Sequence, residues 1–122
     1  MKLNKFVKIA IEESKKSTHQ QRCAAVIFKR NKIISKGFNT SQKSTKHLKK
    51  KFQKWPGTIH AEVDAIIKAK TDLKRCSILV VRINKNEQLR LAKPCKYCQM
   101  YLEYIGIRKI FYTTNESVVK EL

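Results

Sequence analysis

The chain alternates between stretches with a helical apolar period and short continuous apolar runs. Leu3, Phe6, Val7, Ala10 and Ile11 occupy the i, i+3, i+4, i+7 and i+8 positions of one face, which predicts an amphipathic helix over 3–16. Residues 22–29 (RCAAVIFK) are apolar without a period and too few for a typical helix, so they predict a strand covered on both faces. Asn31-Lys32 turns the chain into a second strand over about 32–37, an antiparallel partner closed by Gly37-Phe38-Asn39. A second helix is predicted from His60 to about Lys70, with Ala61, Ala65 and Ala69 as a small face for close packing on a sheet. Residues 76–83 predict a third strand, Asn84 to Lys93 a polar connector with room for a small hairpin, and Cys95 to Ile105 a helix stopped by Gly106. Arg108 to Thr113 predicts a fourth strand, and the tail from Asn115 is too short for more than a few turns. Along the last helix, Tyr97, Tyr101 and Tyr104 at i, i+4 and i+7 predict a core-facing stripe. The order α-β-β-α-β-α-β implies a three-layer α/β/α sandwich, read as one domain over 1–122. Repeats, low-complexity tracts and linkers are absent.

Residues 40–57 break the pattern. They hold Lys43, Lys46, Lys49, Lys50, Lys51 and Lys54, no acid, and end in Trp55-Pro56-Gly57, a strong loop signal. A long basic loop in a compact chain is more often functional than decorative. Composition points the same way: 28 Lys+Arg against 9 Asp+Glu leave a formal +19 over 122 residues, which attracts polyanions such as phosphate backbones. An AT-rich coding bias accounts for 22 Lys against 6 Arg, but not for the shortage of acids. The 42% hydrophobic content suits a globular chain. No apolar run approaches the roughly 20 residues a bilayer needs, and Lys8, Glu12 and Glu13 interrupt the first one, so neither a membrane span nor a secretory signal is expected. An intracellular location, cytoplasmic or nuclear, follows.

Cysteine usage supplies the candidate chemistry. Cys23 and Cys76 border apolar runs and read as small buried hydrophobes. Cys95 and Cys98 form a Cys-x-x-Cys, which inside a cell suggests metal or redox chemistry rather than a crosslink. At i, i+3 on a helix start both thiols point the same way, and the helix N-terminus with Lys96 favours thiolates. With His60, which opens the other helix, they supply the three protein ligands of a catalytic zinc, leaving one position for water. A closed structural zinc site would want a fourth Cys or His. Glu62, two residues after His60, need not ligate but can reach the water, whose pKa zinc lowers from about 15.7 to near 7. An activated water beside one proton-shuttling carboxylate is what hydrolytic removal of an amino group from an aromatic ring requires.

His60-Ala61-Glu62 with Pro94-Cys95-Lys96-Tyr97-Cys98 resembles the zinc-dependent cytidine/deoxycytidylate deaminase superfamily, whose signature this two-part motif is. The element order is similar to that fold as far as the fourth strand, so the sandwich is expected to be of the cytidine deaminase type with a mixed central sheet. The resemblance implies His60, Cys95 and Cys98 as Zn²⁺ ligands and Glu62 as the proton shuttle. It also implies that Asn39 hydrogen-bonds the substrate nucleoside and that the Ala61 backbone lies against the base. A plain turn role competes for Asn39. Self-association into a homo-oligomer, of a number left open, is implied as well.

A histidine as first ligand is similar to the deoxycytidylate, riboflavin-pathway, tRNA-adenosine and polynucleotide-editing branches. Lys93 stands before Pro94 where tRNA-adenosine enzymes tend to carry Glu, which favours cytosine. Six lysines on one loop exceed what a single phosphate needs, so single-stranded DNA or RNA is the expected substrate, with Lys49, Lys50, Lys51 and Trp55 as contacts. Loop packing competes with base stacking for Trp55. The alternatives are a free pyrimidine nucleotide of the dCMP type, tRNA adenosine, or a non-catalytic zinc-containing nucleic-acid-binding module.

Overall fold

The first apolar run forms β1 (Arg22–Lys29), and Ala24 through Phe28 are all buried, as a strand covered on both faces requires. A computed structural model describes residues 3–40 and 60–122. Its remaining elements are α1 (Asn4–Ser14), β2 (Lys32–Phe38), α2 (Ala61–Ala69), β3 (Ser77–Ile83), β4 (Leu89–Arg90), α3 (Lys96–Ile105), β5 (Lys109–Thr113) and β6 (Val119–Glu121). The sheet runs β2-β1-β3-β5-β6, with β4 paired to β3. All of its pairings are antiparallel except β3 with β5, so the sheet is mixed, as expected.

The strand alternation splits the core in two. Ala24, Val26 and Phe28 of β1 and Leu79, Val81 and Ile83 of β3 turn toward α1. There Phe6 stacks on Phe28 at 4.3 Å, and Phe28 lies 6.3 Å from Phe111. Ala25, Ile27, Ile78 and Val80 turn the other way, against Ala61 and Ala65 of α2 and Leu102 of α3. One helix on one face and two on the other make the three-layer sandwich.

The α2 face is built for close approach. A Cβ on Gly37 would overlap the backbone of Ala61 and Ala65, so only glycine lets β2 and α2 meet here. Ser35 Oγ donates to the Ala65 carbonyl at 2.7 Å, and Phe38 N–H donates to Asp64 Oδ2 at 3.0 Å. Asp64 is buried and also pairs with Lys68 at 2.7 Å. Small residues and these bonds seat the first turn of α2 against the end of β2.

Three expectations need correction. The tail after Asn115 forms β6, which pairs with β5 through Phe111, Tyr112 and Thr113. A three-residue strand carries too short an alternation to read. The tyrosine stripe of α3 faces the core only at Tyr101, which packs against Val63 and Cys98; Tyr97 and Tyr104 are 42% and 50% exposed. The core side belongs to Cys98, Leu102 and Ile105, which share the same i, i+4, i+7 spacing one residue further on. Cys76 is a buried apolar residue, but Cys23 is only half-buried and borders a cavity. The polar connector 84–93 does contain a hairpin, whose second strand is β4. Lys49, Lys50, Lys51 and Trp55 lie outside the described residues. Among the described residues, no helix is long and apolar enough to cross a membrane.

Candidate active site

Two helix starts converge on the α2/α3 side of the sheet. His60 precedes α2 and Cys95 precedes α3, both in extended backbone (φ −74°, ψ 155° and φ −68°, ψ 166°). That conformation lets each side chain leave its helix end toward the other. Cys98, in the first turn of α3, is fully buried beside them. His60 Nδ1 lies 3.8 Å from Cys95 Sγ and 3.4 Å from Cys98 Sγ, and the three ligand atoms all fall within 4.8 Å of one another. Tetrahedral zinc with Zn–N of about 2.0–2.1 Å and Zn–S of about 2.3 Å requires N···S separations of roughly 3.6 Å. The donor set fits, and these three residues are positioned to coordinate zinc.

Charge in this corner is strongly redistributed. The Cys98 thiol donates to Cys95 and brings the Cys95 thiol down to about 4, assisted by His60. Cys98, as the donor of that pair and deeply buried, is pushed far up. A dication held between the two sulfurs would favour both as thiolates. Burial works against protonated His60, yet its contact with Cys95 and the nearby Glu62 charge leave it above the usual imidazole range. Glu62 is 5% exposed. Burial raises its carboxyl above the ordinary value, against the opposing pull of its own backbone N–H, His60 and the Cys98 thiol.

These groups form the floor of a cavity of about 430 Å³, within the range of roughly 300–1,000 Å³ common to small-molecule sites. His60, Ala61, Glu62 and Cys95 line it together with Asn39 and Val80. Asn39 is heavily engaged: its Oδ1 accepts from Cys23 N–H at 2.9 Å and Ser17 Oγ at 2.6 Å, while its amide donates to the Gln21 carbonyl at 2.6 Å. Those bonds tie the segment before β1 to the end of β2, and one amide hydrogen of the two goes to Gln21. Asn39 thus ties segments distant in the chain, which is a different role from that of a turn residue, and it also lines the cavity.

Residues 1–114 match the family model of the cytidine and deoxycytidylate deaminase zinc-binding region. The chain belongs to that family. An Aliivibrio fischeri protein described as an uncharacterized deaminase in the luxG 3′ region is 34% identical over 98 residues, 71% of this chain; the match spans about half (54%) of that relative's length. Two solved folds are similar at low identity. The dCMP deaminase of cyanophage S-TIM5 has a TM-score of 0.68 at 20% identity, over 93% of this chain and 86% of its own. The Burkholderia pseudomallei cytidine deaminase reaches 0.71 at 15%, over 100% and 92%.

The rim of the cavity carries residues that no sequence motif marks. His19, Arg82 and Lys93 line it alongside Cys23. Burial pushes the Cys23 thiol up to about 12, with Glu62 adding to the rise and the Arg82 charge opposing it. The signal for Arg82 was present: it is the one cation inside the apolar run 76–83.

Proposed function

We propose that residues 1–122 act as one deaminase domain that hydrolyses cytosine to uracil, favoured on single-stranded nucleic acid. The observation that carries the reading is Glu62, buried on the floor of the cavity beside the His60-Cys95-Cys98 triad and not itself a member of it. A zinc ion held by His60, Cys95 and Cys98 would supply Lewis acidity and an acidified water at its fourth position. Glu62 takes one proton from the attacking water and passes it to the ring nitrogen, then carries the second, from the newly added hydroxyl, to the leaving amine. The new C–O bond forms at the ring carbon, the C–N bond breaks, and water plus cytosine become uracil plus ammonia. Low exposure of Glu62 keeps bulk water from competing for that proton. Ala61 offers its backbone to the flat of the base, and Asn39 offers its second amide hydrogen to the nucleoside. Thiolate ligands suit a reducing, intracellular setting.

The preference for a strand rests on the formal charge of +19. A free nucleotide is the second reading, favoured by the similarity to a cyanophage enzyme whose structure was solved with dCMP and dUMP. A panel of deoxycytidine, dCMP, single-stranded DNA, single-stranded RNA and tRNA, scored for ammonia release and uracil formation, tests the proposal. Uracil formation in a strand supports it, turnover of dCMP alone selects the second reading, and no release from any zinc-loaded sample rejects both. Glu62→Ala should lower turnover by about 10²–10⁴-fold while retaining zinc. Undiminished activity would remove Glu62 from the mechanism.

A further inference from the structure

The β3–β4 hairpin places two arginines in direct opposition: Arg82 and Arg90 are cross-strand partners. Side chains of such a pair leave the sheet about 4.5–5.5 Å apart at Cβ, and like charges there are destabilising. Both point to the cavity side. Leu79, Val81, Ile83 and Leu89 pack toward α1, so the intervening positions 80, 82 and 90 face the other way. Val80 and Arg82 line the cavity in agreement. Lys93, three residues beyond Arg90, lines the same mouth.

Among the described residues no carboxylate pairs with Arg82, Arg90 or Lys93. Each guanidinium has only a long neutral contact, Arg82 to the Leu91 carbonyl and Arg90 to Gln88 Oε1, both at 3.5 Å. The hairpin that carries them is nevertheless firmly held. The buried Thr113 donates its hydroxyl to the Arg90 carbonyl at 2.8 Å, Ala92 N–H donates to the Thr113 carbonyl at 2.9 Å, and Leu91 N–H donates to Asn115 Oδ1 at 2.9 Å. A rigid platform holding two adjacent guanidinium forks without counter-charge, beside a cavity, is a receptor for an oxyanion.

We propose that Arg82 and Arg90, with Lys93, form a subsite for a phosphate of the cytosine nucleotide whose base enters the cavity. The inference rests on the deamination reading for the base and adds the group that carries it. The phosphate comes either from a free nucleotide or from a strand. Bidentate forks explain why arginines stand here in a chain that otherwise uses lysine, 22 to 6.

The test is equilibrium binding to zinc-loaded Glu62→Gln protein, in which the probes persist. The probes are deoxycytidine, dCMP and the trinucleotide dTpdCpdT, each measured with Arg82 and Arg90 intact and with Arg82→Gln/Arg90→Gln. Intact protein should bind at least one phosphorylated probe more tightly than deoxycytidine, and the double variant should lose on the order of 10–100-fold for that probe while deoxycytidine is unchanged. A loss confined to dCMP assigns the phosphate to a free nucleotide, and a loss confined to the trinucleotide assigns it to a strand. Arg90→Lys should restore part of the affinity, keeping the charge but not the fork. Because the pair repels itself, Arg90→Gln should melt no lower than the parent, which a purely structural arginine would not allow. Equal loss for deoxycytidine and its phosphorylated forms, or no preference for phosphate in the intact protein, overturns the subsite. Phosphate-selective binding by a protein that deaminates nothing would leave the subsite standing and reject the activity. Equal turnover of deoxycytidine and dCMP without selective binding would do the reverse.

Discussion

The two faces of one sheet solve opposite problems. Toward α1 the sheet presents mainly apolar side chains, with Phe28 and Phe111 stacked alongside Phe6 of the helix. Toward α2 and α3 it presents Ala25, Ile27, Ile78 and Val80, met by the small residues Ala61 and Ala65 of α2, which approach β2 so closely that Gly37 cannot carry a Cβ. The aromatic stack on the first face removes a large apolar area from water. On the second, the alanines of α2 seat its start close to the sheet, where His60, Cys95 and Cys98 meet within 4.8 Å. Stability is concentrated on one side and placement on the other, so substitutions on the two faces should separate folding from function.

The separation can be broken most strongly from the α1 side. Phe6→Ala should cost about 3–5 kcal/mol of stability, read by denaturant unfolding, while zinc content and KM of the folded fraction stay unchanged. A comparable loss of zinc would show that the faces are not independent. Next comes Gly37→Ala. A methyl there must push β2 and α2 apart, so about 1–3 kcal/mol of stability should be lost together with zinc affinity, a joint loss that Phe6→Ala lacks. Loss of stability with zinc affinity intact would mean that α2 shifts as a unit without disturbing its first turn.

Zinc retention should also weaken in acid. Protonated His60 cannot ligate, and in the metal-free chain His60 sits above the usual imidazole range, so proton competition begins at a higher pH than for an ordinary imidazole. Below that range, affinity measured against a competing chelator should fall by about tenfold per pH unit for each proton displaced. A flat profile from pH 8 to 6 would show that His60 is not a ligand. The smallest effect belongs to the outer side of α3: Tyr104, half exposed, should tolerate Tyr104→Ser within about 0.5 kcal/mol. A larger loss would mean that this helix face is covered in the working protein.

Legibility followed the length of each signal. β1 and α2 were readable because five consecutive buried residues and three alanines at helical spacing leave little choice of structure. The zinc triad and Glu62 were readable because their chemistry is concentrated in two short motifs. Asn39 was half readable: its position was visible, but its bonds to Ser17, Gln21 and Cys23 join residues that only folding brings together. α3 misled because its tyrosines and its true core stripe have the same spacing, and periodicity alone does not choose between adjacent phases. β6 carried almost no signal, since three residues stabilised by pairing with β5 have no pattern of their own.

The amino-acid order by itself determined the longer elements, the layers and the identity of the metal-site donors. Those depend on local periodicity and on the coordination chemistry of imidazole and thiolate, which are properties of neighbouring residues. Only tertiary structure decided that Arg82 opposes Arg90, that Thr113 anchors their hairpin, and that Gly37 admits α2. Strand register and close approach join residues far apart in the chain, and they are set by how the whole sheet packs.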